Sequence, residues 1–214
     1  MNSTEYPNAR FWDRIANRYA RKPVPDQQVY EEKLRLTEER LTADMTVLDI
    51  GCGTGTTALH HAGKVKHIRA IDVSARMVEI ARGKAQQQGI VNVEFEVGDI
   101  EGLGIVDGTY DLVLAHSILH LLDDVEGLLR SLNRVMKPDG ILVSSTTCLA
   151  DFMPVFKYIV PIGKFVGLMP YVKVFSASDL AGWFDDAGFE LEHDWRPSPK
   201  SGHFQIHRKV RDIE

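Results

Sequence analysis

Residues 46–62 read TVLDIGCGTGTTALHHA, and this stretch decides the fold. Val47, Leu48 and Ile50 form a short apolar run that carries one acidic residue, Asp49. Gly51, Gly53 and Gly55 follow, and a helix-forming segment begins directly after them. Parallel strands buried on both faces read as such apolar runs. A glycine-rich turn leading into a helix is the form of a nucleotide cradle. Glycines there remove side chains that would hold a ligand off the backbone, and they permit angles closed to other residues. Alone, the turn is a weak signal. Its spacing is G-x-G-x-G with Thr56 where a dinucleotide fingerprint has glycine, so a tight connection accounts for it equally well.

The pattern repeats outward from this point. IDVS closes a second apolar run at Asp72, and VGDI closes a third at Asp99. YDLVLAHSILH is a fourth strand running into polar residues, and MKPDGILVSST is a turn into a fifth. Strands are expected near 45–50, 67–72, 92–97, 110–115 and 140–147, and helices near 55–63, 74–88 and 124–136. Such alternation implies right-handed parallel crossovers. Ligands on these sheets sit beyond the carboxyl ends of the strands, at the switch point. Asp49, Asp72, Asp99 and His116 all fall there and could face one ligand.

In this arrangement the chain resembles the class I S-adenosylmethionine-dependent methyltransferases. VLDIGCGTG, the acidic Asp72, GDI, DGTYDLVLAHSILH and KPDGILV carry the resemblance in family order over residues 45–147, about half the chain. Within the family it looks most like the small-molecule branch that includes the ubiquinone/menaquinone-biosynthesis type. The resemblance implies an α/β, doubly wound, mostly parallel sheet with helices on both faces and a C-terminal antiparallel hairpin, a Rossmann-like fold. The implied cofactor is S-adenosyl-L-methionine. The implied cofactor-binding residues are Tyr19, Asp49, Gly51, Cys52, Gly53, Gly55, Asp72, Val73, Met77, Asp99, Ile100, Ala115 and His116.

Residue chemistry fits these roles and leaves alternatives. Asp72 can accept hydrogen bonds from two ribose hydroxyls at once. The same position binds ribose in NAD enzymes, and a helix N-cap beside Ser74 is the plainer reading. Asp99 can accept from an adenine amino group while the Ile100 N–H donates to the ring, or it is a turn aspartate. Asp49 can orient the glycine loop and favour cationic groups. Met77 packs on adenine or belongs to the core. His120 and His203 are the candidate catalytic residues, either of which could take a proton from an acceptor. The i, i+4 spacing of HSILH would put His116 and His120 on one face if the segment were helical, which also suits a metal. No HExxH glutamate or third ligand accompanies the pair, so no metal is expected. His60, His61 and His67 read as surface residues.

Composition sets the bounds. A chain of 214 residues, 44% hydrophobic and 26% charged, fits a single soluble domain over 1–214 with a sizeable core. A net charge of −5, pI about 5.9 and no basic stripe argue against nucleic-acid binding. Two cysteines, Cys52 and Cys148, make no disulfide framework, and a cytoplasmic setting follows most simply. MNSTEYPNARFWDRI has no apolar core or cleavage pattern, so no signal peptide is expected.

The flanking segments complete the expectation. The resemblance implies that residues 1–41 form an N-terminal helical cover. A helix over 8–21 carries Phe11, Ile15 and Tyr19 as one apolar stripe, extended by Trp12 and Ala16. A second helix runs from an Asp26 cap through Leu41, burying Tyr30, Leu34 and Leu41. The resemblance makes Tyr19 the aromatic that touches the methionine part of the cofactor; a core aromatic is the alternative. Residues 149–175 are dense in apolar and aromatic side chains punctuated by prolines. Phe152, Phe156, Ile159, Phe165, Leu168 and Met169 suggest a lid of two short amphipathic pieces around Pro161, covering a small hydrophobic or amphipathic acceptor. Core packing is one alternative, and peripheral membrane contact through 151–175, with Lys157 and Lys164 on a basic face, is another. Residues 176–214 begin with a capping box at Ser176 and Asp179, end that helix at Gly188, and continue as a hairpin through PSPKSG.

The expected activity is methyl transfer to a small acceptor. A non-catalytic S-adenosylmethionine-binding regulatory protein is the alternative. An NAD-linked oxidoreductase is disfavoured by the glycine spacing, the GDI motif and the lack of a Tyr-x-x-x-Lys pair.

Overall fold

A computed structural model describes residues 8–153, 170–198 and 201–213. The chain divides into two compact units, 1–104 and 105–214. Among the described residues the first unit holds three parallel strands and the second four, of which the last two form an antiparallel C-terminal hairpin. This is the Rossmann-like architecture expected.

The first unit contains α1 (Ala9–Arg21), α2 (Gln27–Glu38), β1 (Thr46–Ile50), α3 (Thr56–His61), β2 (His67–Asp72), α4 (Ala75–Gln88) and β3 (Val93–Val97). The three strands pair in parallel, with Asp49 opposite Ala70 and Asp72 opposite Val97. Leu48, Ile68 and Ala70 are fully buried, each large side chain contributing about 1.5–3 kcal/mol. Ser74 caps α4 by accepting from the Met77 N–H at 3.2 Å. Asp13 of α1 accepts from Ser74 Oγ at 2.6 Å and from the Arg76 N–H at 3.0 Å, pinning α1 to the start of α4.

That contact corrects the expected stripe on α1. Ala16 is buried as expected, but its buried companion is Ala9, on the face that carries Asp13, while Phe11, Trp12 and Ile15 are half-buried and Tyr19 is 51% exposed. Small residues let the two helices approach closely enough for Asp13 to reach α4. Asp26 does cap α2, accepting from the Val29 N–H at 3.0 Å. The helix stops at Glu38, however, and Leu34 and Leu36 are its buried leucines, with Tyr30 and Leu41 half-buried. His60 is exposed as expected and His67 is half-buried, but His61 is 1% exposed. Consecutive helical residues point about 100° apart, which lets His61 face inward while His60 faces solvent.

The second unit contains β4 (Tyr110–His116), α5 (Val125–Val135), β5 (Met136–Thr146), α6 (Ala177–Asp186), β6 (Phe189–Trp195) and β7 (His203–Lys209). β5 begins before the expected turn: Tyr110 pairs with Met136 and Leu112 with Ile141, and the shift absorbs KPDG. Asp124 caps α5 through the Gly127 N–H at 2.7 Å, and Leu129 and Leu132 are fully buried. The Ser176/Asp179 capping box forms as read, and Gly188 takes a left-handed φ of 79° after α6. Phe184 of α6 stacks on His207 of β7 with ring centroids 3.7 Å apart.

HSILH is not one helix. His116 ends β4, Ser117 turns through φ 56°, and His120 sits in a single 3-10 turn, so the two rings do not share a helical face. The expected lid falls mostly outside the described residues, including Phe156, Lys157, Ile159, Pro161, Lys164, Phe165, Leu168 and Met169. Among the described residues no helix is long and apolar enough to cross a membrane.

Candidate functional site: an acidic glycine turn and a histidine group

In the first unit the glycine turn connects β1 to α3. Gly51, Gly53 and Gly55 take φ of 66°, 54° and 75°, a left-handed conformation that favours glycine. Their purposes differ. A Cβ on Gly53 would meet nothing within 4 Å, so the backbone there borders open space. A Cβ on Gly55 would lie 2.7 Å from the Phe95 ring and 2.8 Å from Ala81 Cβ, so Gly55 makes room for the protein's own core. Lys84 of α4 ties the turn down by donating to Thr54 and Thr56 Oγ1, both at 3.0 Å. Burial first, and the charges of Asp49 and Asp72 next, push the Cys52 thiol well above its usual range, so it serves as packing rather than as a nucleophile.

Two carboxylates dominate this end of the strands. Asp72 accepts from the Gly53 N–H at Oδ2 (2.9 Å) and from the Ser74 N–H at Oδ1 (2.8 Å). Burial raises its pKa, the two backbone bonds oppose that, and the Asp13 charge adds to it. The N-cap of α4 is Ser74, which leaves the Asp72 carboxylate at the glycine turn. Asp49 is 2% exposed, and its Oδ2 has no hydrogen-bond partner. Burial and the Asp72 charge raise its pKa to about 8. Tyr19 is electrostatically coupled to Asp72: burial, then that charge, then Tyr30 raise its phenol. The half-exposed ring therefore lies in the field of the same carboxylate.

The other first-unit candidates divide. Val73 is half-buried directly after Asp72. Met77 is 2% exposed in α4, a core position. Asp99 accepts from the Gly102 N–H at 2.7 Å, which makes it a turn aspartate in this structure, and Ile100 is buried beside it.

In the second unit the candidates cluster at the carboxyl ends of β4 and β5. Ala115 is fully buried, and the His116 ring stacks on Phe204 at 6.2 Å. His120 Nδ1 is buried without a partner, and burial lowers the imidazole pKa to about 4. His203 is 6% exposed; its Nδ1–H donates to Asp194 Oδ1 at 3.0 Å, and its Nε2 is buried without a partner. A carboxylate only accepts, so Asp194 fixes the tautomer that leaves a lone pair on Nε2. Cys148, Asp151 and His203 bring one donor atom each within 4.8 Å of one another. Asp194, Asp13 and Lys84 have no signature in the sequence, because each acts on a partner that only the fold brings near.

The chain matches a family described as a methyltransferase domain over residues 41–165, more than half its length. It is 34% identical over 119 residues to the uncharacterized methyltransferase YcgJ of Bacillus subtilis, covering 54% of this chain and 47% of that protein. It is 30% identical over 170 residues to the demethylmenaquinone methyltransferase of Listeria welshimeri, covering 70% of this chain and 72% of that one. The chain spans less than half the length of several of the curated relatives it matches, as with 47%, 38% and 48%. The crystal structure of the [4+2]-cyclase SpnF superposes with a TM-score of 0.72 at 24% identity, covering 86% of this chain and 83% of that one, which is a likeness of fold. The acidic glycine turn, the parallel strands and these matches lead to one assignment: the chain belongs to the methyltransferase-domain family.

Proposed function

We propose that the chain transfers a methyl group from S-adenosylmethionine to a small, apolar or amphipathic acceptor. The observation that carries this reading is Asp49, buried with Oδ2 unpartnered and in the field of Asp72. A buried carboxylate with no counter-charge is costly, and S-adenosylmethionine is a fitting partner because it bears a sulfonium and an ammonium. When bound, it supplies an activated methyl group on the sulfonium. Both Asp72 oxygens retain acceptor capacity beyond their backbone bonds, enough for a ribose diol. Gly53 offers open backbone, Asp99 and Ile100 suit the adenine edge, and Tyr19 covers the Asp72 side.

On the acceptor side, His203 is the proton acceptor, held by Asp194 with Nε2 available. His120, neutral because it is buried, lines the same acceptor. An apolar acceptor is supported by the aromatic content of 151–175 and by relatives named for demethylmenaquinone and ubiquinone. The same segment gives the protein a means of touching a membrane surface to collect such an acceptor. The net charge of −5 favours a small molecule over nucleic acid, and two free cysteines suit the cytoplasm.

The test is release of S-adenosylhomocysteine over a panel of phenols, quinols, thiols and amines, with product mass read for each. His203→Asn should lower kcat at least about a hundredfold on a hydroxyl acceptor and leave cofactor affinity unchanged. Cofactor binding with no product over the whole panel would favour the non-catalytic binding protein. A folded Asp72→Ala protein with unaltered cofactor affinity would sink the proposal.

A further inference from the structure

The ends of α2 and α3 hold a donor cluster separate from the glycine turn. Glu38, His60 and His61 each bring one donor atom within 4.8 Å of the others. His60 Nε2 lies 2.8 Å from Glu38 Oε1, and His61 Nδ1 lies 4.0 Å from the same oxygen. His61 is 1% exposed, yet neither of its ring nitrogens has a hydrogen-bond partner. Buried polar groups are nearly always bonded. This imidazole is held beside a carboxylate and a second imidazole with both nitrogens unused.

We propose that Glu38, His60 and His61 bind one divalent ion of the zinc class. Two imidazoles and a carboxylate, with a fourth position left to water, are a ligand set zinc takes. Bonds of about 2.0–2.1 Å at tetrahedral angles place ligand atoms roughly 3.4 Å apart. The two contacts to Glu38 Oε1, at 2.8 and 4.0 Å, straddle that separation. One must open and the other close by about 0.6 Å to match it. Glu38 and His60 side chains are 27% and 45% exposed, so the shifts fall on the solvent side of the cluster while His61 stays in place.

Lys64 is the competing cation. Its Nζ lies 3.4 Å from Glu38 Oε2, and its side chain is 55% exposed. It neutralises the carboxylate without a metal and can swing into solvent when one binds. The ion would clip the end of α2 to the end of α3, whose other end already meets α2 through Tyr30 Oη and Thr57 Oγ1 at 3.4 Å. Glu38 precedes His60 by 22 residues, which is why no short motif announces the set. The site stands independently of methyl transfer.

The experiment titrates Zn2+ and Co2+ into untagged, chelator-treated protein, read by calorimetry, thermal unfolding and the visible absorption of Co2+. One ion per chain, a raised Tm and an intense tetrahedral Co2+ spectrum are expected. Glu38→Gln and His60→Ala, both at partly exposed positions that should leave the fold intact, should each weaken uptake at least about tenfold. Lys64→Gln should tighten it about fivefold by removing a like charge. No saturable uptake, or uptake that survives both ligand substitutions, would overturn the site.

Discussion

Asp49→Asn replaces a buried carboxyl with a neutral group of the same shape, and the structure gives the sign and size of its effect. The Asp49 pKa is about 8 in the folded chain against an ordinary 3.8, raised by burial and then by Asp72. A raised folded value means that the group contributes full stability below pH 3.8, where both states are protonated. From there to about pH 8 the unfolded chain ionises while the folded chain holds its proton, so stability falls as pH rises. Each unit of that difference is worth about 1.4 kcal/mol. The whole window sets a ceiling of roughly 5–6 kcal/mol, which water entry and local relaxation reduce. Asn does not titrate. Cofactor-free Asp49→Asn should therefore exceed wild type by about 2–4 kcal/mol at pH 8 and by about 1 kcal/mol at pH 5. Urea unfolding at pH 5, 6.5 and 8 reads both values. The same substitution should weaken S-adenosylmethionine binding, and its demethylated product less, because the product lacks the sulfonium. A variant less stable than wild type at pH 8, or one with the wild-type pH slope, would refute this account of Asp49.

Two further predictions concern stability. Gly53→Ala and Gly55→Ala share a left-handed backbone, worth roughly 1–2 kcal/mol, but only the Gly55 side chain would strike Phe95 and Ala81. Gly55→Ala should cost about 1–3 kcal/mol more than Gly53→Ala in denaturant unfolding, and equal costs would show that Phe95 does not pack as described. His207 is buried against Phe184, and burial lowers its pKa to about 3. That contribution is complete above an ordinary 6.5 and is lost as pH falls, about 2 kcal/mol by pH 5, opposite in direction to Asp49. His207→Phe should flatten this acid slope, and an unchanged slope between pH 6.5 and 5 would exclude His207 as its source.

The alternating order of strands and helices is legible from the residues themselves because it rests on local physics. Apolar runs such as Val47–Ile50 and Leu112–Ala115 need a sheet buried on both sides, and Asp26 and Ser176 cap through their own next turn. The seating of α1 departs from its apolar stripe for a related reason. Hydrophobicity marks Phe11, Ile15 and Tyr19, whereas the helix is seated by Asp13, whose partners on α4 lie 61 and 63 residues away.

Sequence alone therefore determined the parallel α/β core, the hairpin, the glycine turn and the acids at the strand ends, since periodicity and caps act within a few residues. Tertiary structure decided what those residues experience. It made Gly55 a packing glycine under Phe95, left Asp49 buried without a partner, paired His203 with Asp194, and turned His61 inward beside Glu38. Burial, pKa and hydrogen-bond partners depend on atoms that are neighbours in space and distant in sequence, and no local pattern encodes which of them will meet.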